Sequence, residues 1–158
     1  MTRAFRSHSS RWRLSAMLLA LLQLPMANPA RAFFHNAPDL ELGRSIYVAK
    51  CAACHGINLE GRPDWQTPNE VGTYPAPPHD ETGHTWHHGD AMLRDYIRRG
   101  GQAVLDDMGV KYISGMPGFG SDLTEEDITA VLDYIKSTWP DSVRAAQEDR
   151  TLSETGAP

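Results

Sequence analysis

Apolar positions recur at helical spacing in three stretches of the chain. Between Asp39 and Ala53, Leu42, Ile46 and Tyr47 fall at i, i+4 and i+5 on one helix face, with Asp39 placed as the N-cap. A second helix is predicted over Asp90–Arg99 (DAMLRDYIRR), closed by Gly100 and Gly101. The third opens at Thr124, with Asp127 three residues on as a weaker variant of the capping box. Ile128, Val131, Leu132 and Ile135 then give the i, i+3, i+4, i+7 stripe, and Trp139-Pro140 ends it because proline cannot extend the hydrogen-bond ladder. These stripes read as core packing. Residues 141–158 are polar and lack an apolar stripe, so they are expected to form a mobile tail.

The N-terminus has a different character. Arg3, Arg6, Arg11 and Arg13 form a basic head, followed by the apolar run Leu14–Leu24, then Pro25 and the small residues of Ala30-Arg31-Ala32. That order is read as a secretory signal peptide over residues 1–32. The alternative is an uncleaved anchor, but the run has eleven residues, against the ~20 that span a bilayer as a helix. No stable membrane insertion is expected after cleavage, and the destination is periplasmic.

Cleavage changes the charge. The segment holds five of the fifteen basic residues and none of the twenty acidic ones, so the mature chain carries a formal charge of −10. Nucleic acid and anionic membrane surfaces are poor partners for it, and a protein with a basic docking face is a better one. What remains suits one domain, over residues 33–140, with few large aliphatics to fill its core. Such a core is thin without a cofactor.

Both cysteines lie in CAACHG, residues 51–56. An exported chain sits where thiols oxidise, so a Cys51–Cys54 disulfide is the first alternative. It closes a very short loop and restrains little of the unfolded chain. A structural zinc site wants four ligands, and there is no second cysteine pair. A thioredoxin-like redox motif needs a βαβ surround, whereas this neighbourhood is helical, glycine-rich and proline-rich. Cys-x-x-Cys-His is also the signature of covalent c-type haem attachment, in which two thiols add across two vinyl groups and the adjoining histidine ligates the iron. That reading uses Cys51, Cys54 and His55 together.

A second axial ligand then has to be found among Met92, Met108, Met116, His79, His84, His87 and His88. Met116 lies in SGMPGFG, where Pro117 and three glycines argue for a loop able to present a thioether. Met92 reads as a helix-face residue filling core space. Met108 lies in a loop and competes with Met116.

At this point the chain resembles the class I c-type cytochromes, specifically the small single-haem bacterial type. The resemblance covers residues 39–140 and rests on GRSIYVAKCAACHG, MPGFG and DITAVLDYIKSTWP. It implies an all-α, cytochrome c-like fold of three to four helices and long loops around one covalent haem c and its iron. It also implies Met116 as the distal ligand, and a proline carbonyl that accepts a hydrogen bond from the proximal histidine. APPH, residues 76–79, matches that proline best, so Pro77 or Pro78 would orient His55. The terminal helices would cross at Gly43, with Val131 and Tyr134 as contacts from the far side. Glu60–Gly72 looks like an insertion relative to shorter relatives, with a surface-loop composition suited to part of a docking face.

The function implied is one-electron transfer between redox proteins, not catalysis. Donors would be a quinol-oxidising complex or a dehydrogenase, and acceptors a terminal oxidase or reductase. Two alternatives stand beside it. One is a haem enzyme with an open or labile distal site. The other is copper binding by His79, His84, His87 and His88, which lie within ten residues of one another. Against the copper reading, the prolines and glycines of YPAPPHDETGHTWHHG suggest a rigid loop pinned by its own polar groups, with Trp65 and Trp86 covering the haem edge or loop junctions.

Overall fold

The computed structural model describes residues 38–156. The expected signal peptide, residues 1–32, lies outside the described residues. The described chain is mostly helical, as expected from the pattern of apolar positions. Helix α1, Leu40–Ile46, starts where the Asp39 carboxylate accepts from the Leu42 amide at 2.9 Å. It runs into a π-helical turn, Tyr47–Cys51, and then into the single turn α2, Ala52–His55. Gly56, at φ +83°, ends this composite helix in a conformation that disfavours a side chain. Helix α3, Asp90–Arg99, stops at Gly100, φ +86°.

Beyond it lies a helix that the sequence reading did not anticipate, α4, Gly101–Asp107. Gly100 ends one helix and Gly101 begins the next, so the glycine pair is a corner. Helix α5, Glu125–Ser137, carries a complete capping box between Thr124 and Asp127. Two long loops meet in a short parallel ladder, β1 (Thr73–Tyr74) against β2 (Ile113–Ser114).

The composite helix crosses α5 at Gly43. A Cβ there would fall 2.0 Å from the Ala130 carbonyl oxygen and 2.8 Å from the Tyr134 Cβ. The expected contact with Tyr134 is present, but Ala130 takes the place given to Val131. One residue turns a helix by about 100°, so Val131 faces the core beside the crossing. There Ile46, Tyr47, Leu59, Val131, Ile135 and Trp139 form the main buried cluster. Leu93, Ile128 and Leu132 form a second between α3 and α5. Each such side chain contributes about 1.5–3 kcal/mol by leaving water.

The expectation of a mobile tail is corrected. Residues Asp141–Thr155 form helix α6. Its anchor is polar: Gln147 is buried and donates through Nε2 to Asp90 at 2.7 Å and to the His88 carbonyl at 3.2 Å. Lys136 adds its ammonium to the same Asp90 carboxylate at 2.9 Å. An apolar-stripe criterion cannot register a helix held this way.

Candidate functional site

The composite helix, the 73–88 segment, α3, α4 and α5 enclose a cavity of about 940 Å³, near the upper end for cofactor pockets. Its wall is largely apolar and includes Leu105, Val131 and Ile135. Cys51, Cys54, His55 and Met116 line this one cavity, and so do Met92 and Met108.

Both thiols are free, Cys51 partly buried and Cys54 exposed. Burial, and then the neighbouring Cys54, push the Cys51 thiol up to about 11. A thiol held protonated in this way is a poor nucleophile for thiol–disulfide exchange.

His55 is held from behind. Its Nδ1 lies 2.8 Å from the carbonyl oxygen of Pro77. A carbonyl only accepts, so Nδ1 carries the hydrogen and Nε2 keeps a free lone pair. Burial lowers the affinity of the ring for a second proton, against the opposing effect of the Pro77 bond, so the neutral ligand form is favoured. Of the two prolines considered, Pro77 makes this contact. The Pro78 carbonyl instead accepts from the Thr85 hydroxyl at 3.5 Å.

The backbone around the motif is tied down by residues the sequence reading did not assign to the site. The buried Tyr47 hydroxyl donates to the Gly56 carbonyl at 2.8 Å. The Arg62 guanidinium donates to Ala53 O at 2.6 Å, and the Gly61 amide to His55 O at 2.7 Å. Arg62, Trp65 and Asn69 carry the 60–72 loop onto the cavity wall. Tyr47 had shown only as a position on a helical stripe. Arg62 gave no spacing signal, since its partner is a backbone carbonyl.

Met116 is fixed by its backbone at both ends. Its amide donates to Ser114 Oγ at 3.2 Å, and its carbonyl accepts from the Gly101 amide at 3.0 Å. Met108 sits at the C-terminal end of α4 and is 51% exposed. Met92 projects from α3 beside the buried Leu93.

The four clustered histidines do not converge. His79 stacks on His55 with ring centroids 3.9 Å apart, and its Nδ1 pairs with Thr85 Oγ1 at 2.9 Å. His84 stacks on Trp65 at 5.4 Å and meets His88 edge-on, while His87 lies on Trp86 at 3.7 Å. Among the described residues, no group of three His, Cys, Asp or Glu side chains is arranged to hold a metal ion. The loop is pinned by its own aromatic and polar contacts.

The donor set fits haem c: two unpaired thiols, an imidazole with one free lone pair, a thioether and an apolar chamber in one place. Among the described residues, no helix is long and apolar enough to cross a membrane. No curated protein and no solved structure matches the chain. A family model described as Cytochrome c matches residues 40–139, spanning the composite helix, the cavity and α5. Haem c with its iron is that family's cofactor, and its members are haem-based electron carriers. By this match, and with the fold and the chamber in agreement, the chain belongs to the cytochrome c family, as a class I c-type cytochrome.

Proposed function

We propose that the protein is a periplasmic carrier of single electrons between redox proteins, in which Cys51 and Cys54 would anchor haem c through thioether bonds and His55 and Met116 would ligate its iron. The observation that carries this reading is the His55–Pro77 hydrogen bond at 2.8 Å, which leaves Nε2 free on a cavity that Met116 also lines. The haem supplies a one-electron couple between ferrous and ferric iron. The protein supplies the rest: His55 is oriented by Pro77, Met116 is held at both backbone ends, and the apolar wall limits water. With a thioether in place of a second imidazole, such a haem would have a higher potential.

Export is supported by the basic head, short apolar run and A-x-A of residues 1–32. A mature formal charge of −10 favours partners with a basic face. A quinol-oxidising complex or dehydrogenase would donate electrons, and a terminal oxidase or reductase would accept them. Electron transfer to a cationic partner slows as salt rises, because screening shortens the reach of the attraction.

The test is the optical spectrum of the haem-loaded protein, oxidised and reduced. A c-type reduced spectrum, with a weak far-red ferric band that vanishes in Met116→Ala, is expected. Absence of that band, with rapid carbon monoxide or cyanide binding, would move the reading to a haem enzyme with an open distal site.

A further inference from the structure

The β1–β2 ladder is only two residues long, with Thr73 opposite Ile113 and Tyr74 opposite Ser114. So short a parallel pair does not persist by itself. Beside it, the rings of Tyr74 and Tyr112 stack with centroids 4.1 Å apart and planes 15° from parallel. Both rings line the cavity, and the pair bridges the two loops that the ladder joins.

Met116 lies two residues beyond that ladder. The Ser114 amide donates to the Gln102 side-chain oxygen at 3.0 Å, and Ser114 Oγ receives the Met116 amide at 3.2 Å. Gly101 closes the other side, where a Cβ would fall 2.0 Å from Ser114 Oγ. Downstream, the Phe119 and Gly120 amides donate to the Ile97 and Arg98 carbonyls at 2.8 and 2.9 Å, which ties the chain after Pro117 to the end of α3. The segment carrying the thioether therefore takes its order from α4 and the end of α3 on one side and, upstream, from the tyrosine-backed ladder on the other.

We infer that Tyr74 and Tyr112 are positioning residues for Met116, acting through Ser114 to set how often the thioether leaves its place and a small ligand can take it. The inference rests on Met116 being the distal ligand, as proposed above. Losing the ring pair frees the ladder, and Ser114–Met116 then loses its upstream restraint while keeping its bonds to α4 and the downstream hold on α3. A foreign ligand competes with the thioether in proportion to the population in which that place is free.

The experiment uses the haem-loaded ferric protein as wild type, Tyr112→Ala, Tyr112→Phe and Ile128→Ala. Ile128 is buried between α3 and α5, away from the ladder, so its truncation controls for general loss of stability. Each protein is titrated with imidazole while the far-red band is followed, and its thermal midpoint is recorded. Tyr112→Ala is expected to bind imidazole about ten-fold more tightly, while Tyr112→Phe, which keeps the ring, and Ile128→Ala stay within about two-fold of wild type. Wild-type affinity in Tyr112→Ala, an equal rise in Ile128→Ala, or failure of Phe to rescue would each overturn the inference. A wild-type protein lacking the far-red band would instead fail the ligand assignment itself, so the two failures are distinguishable.

Discussion

The Nδ1 of His55 and the carbonyl oxygen of Pro77 lie 2.8 Å apart, and the chain holds that carbonyl in place from behind with Gly61. Gly61 has φ +68°, and a Cβ on it would fall 2.7 Å from the Pro77 carbonyl carbon and 2.4 Å from the Pro78 nitrogen. Gly61→Ala therefore pushes the acceptor away from His55 without touching either residue. The left-handed backbone alone makes the change cost about 1–3 kcal/mol. With the hydrogen bond weakened, the imidazole is a poorer donor and the ferric state loses support, so the reduction potential rises. Redox titration and thermal unfolding of the haem-loaded variant check both effects; an unchanged potential would count against Pro77 as the orienting group.

Gly43→Ala tests the helix crossing. With a Cβ placed 2.0 Å from the Ala130 carbonyl oxygen, the composite helix has to move off α5. Overpacking of this kind costs about 1–3 kcal/mol, and here the obstacle is backbone, which gives less readily than a side chain. A lowered thermal midpoint is expected. A wild-type midpoint would show that the crossing is looser than the structure has it.

Tyr47→Phe removes the hydroxyl that donates to the Gly56 carbonyl at 2.8 Å and keeps the ring that packs on Tyr134. The expected loss is about 1 kcal/mol in denaturant unfolding, with the haem spectrum preserved. A loss of bound haem would assign Tyr47 a larger part in shaping the cavity than the hydrogen bond accounts for.

Docking of α6 should depend on pH through Asp90. Burial opposes its charge, but hydrogen bonds from Lys136 and Gln147 and the charges of Lys136 and Arg94 outweigh it. They hold the carboxyl below its ordinary value of 3.8. A depressed carboxyl favours folding fully above the unfolded value, and that contribution is lost as acidification passes the lowered one. The protection of the α6 amides, taken relative to their intrinsic exchange rate at each pH, is therefore expected to be flat near neutrality and to fall only below about pH 4. Asp90→Asn should flatten that acid response. Gln147→Ala, which removes the donor to the His88 carbonyl and empties the buried site of that side chain while Lys136 still pairs with Asp90, should cost about 1–3 kcal/mol at every pH.

The parts of this molecule legible in its sequence are those built on local rules. The Asp39 cap, the Thr124 box and the α5 stripe each depend on residues within a turn of one another. The CAACHG motif is as local, since its chemistry follows from spacing. Contacts made at long range had no such signal. Helix α6 is fixed by Gln147 reaching Asp90 across 57 positions of chain, so its polar sequence read as a tail. Ala130 against Gly43 differs from the expected Val131 by one step of helical rotation, which amphipathic spacing does not resolve. His79 grouped naturally with His84, His87 and His88 along the chain, yet its ring lies on His55. Gly100 and Gly101 read as a stop because a terminator and a corner share the same residues.

The π-helical turn at Tyr47–Cys51 has a consequence for which changes of length this chain can accept. Each residue of a helix turns the next by about 100°, and a π turn takes up one residue more than an α turn, resetting the phase of everything after it. Before the seam, Gly43 and Ile46 are in phase with α5; after it, Cys51 and His55 are in phase with the cavity. Deleting or adding one residue among Val48, Ala49 and Lys50 would leave both halves helical and chemically intact, but would aim the cysteines and histidine at the wrong side. The 60–72 loop has no helical phase to keep: Gly61 and Arg62 are tied to the motif by their own hydrogen bonds, and a change of length beyond Trp65 leaves those bonds in place. Length can therefore drift in that loop, whereas between Gly43 and Cys51 the residue count itself is part of the site.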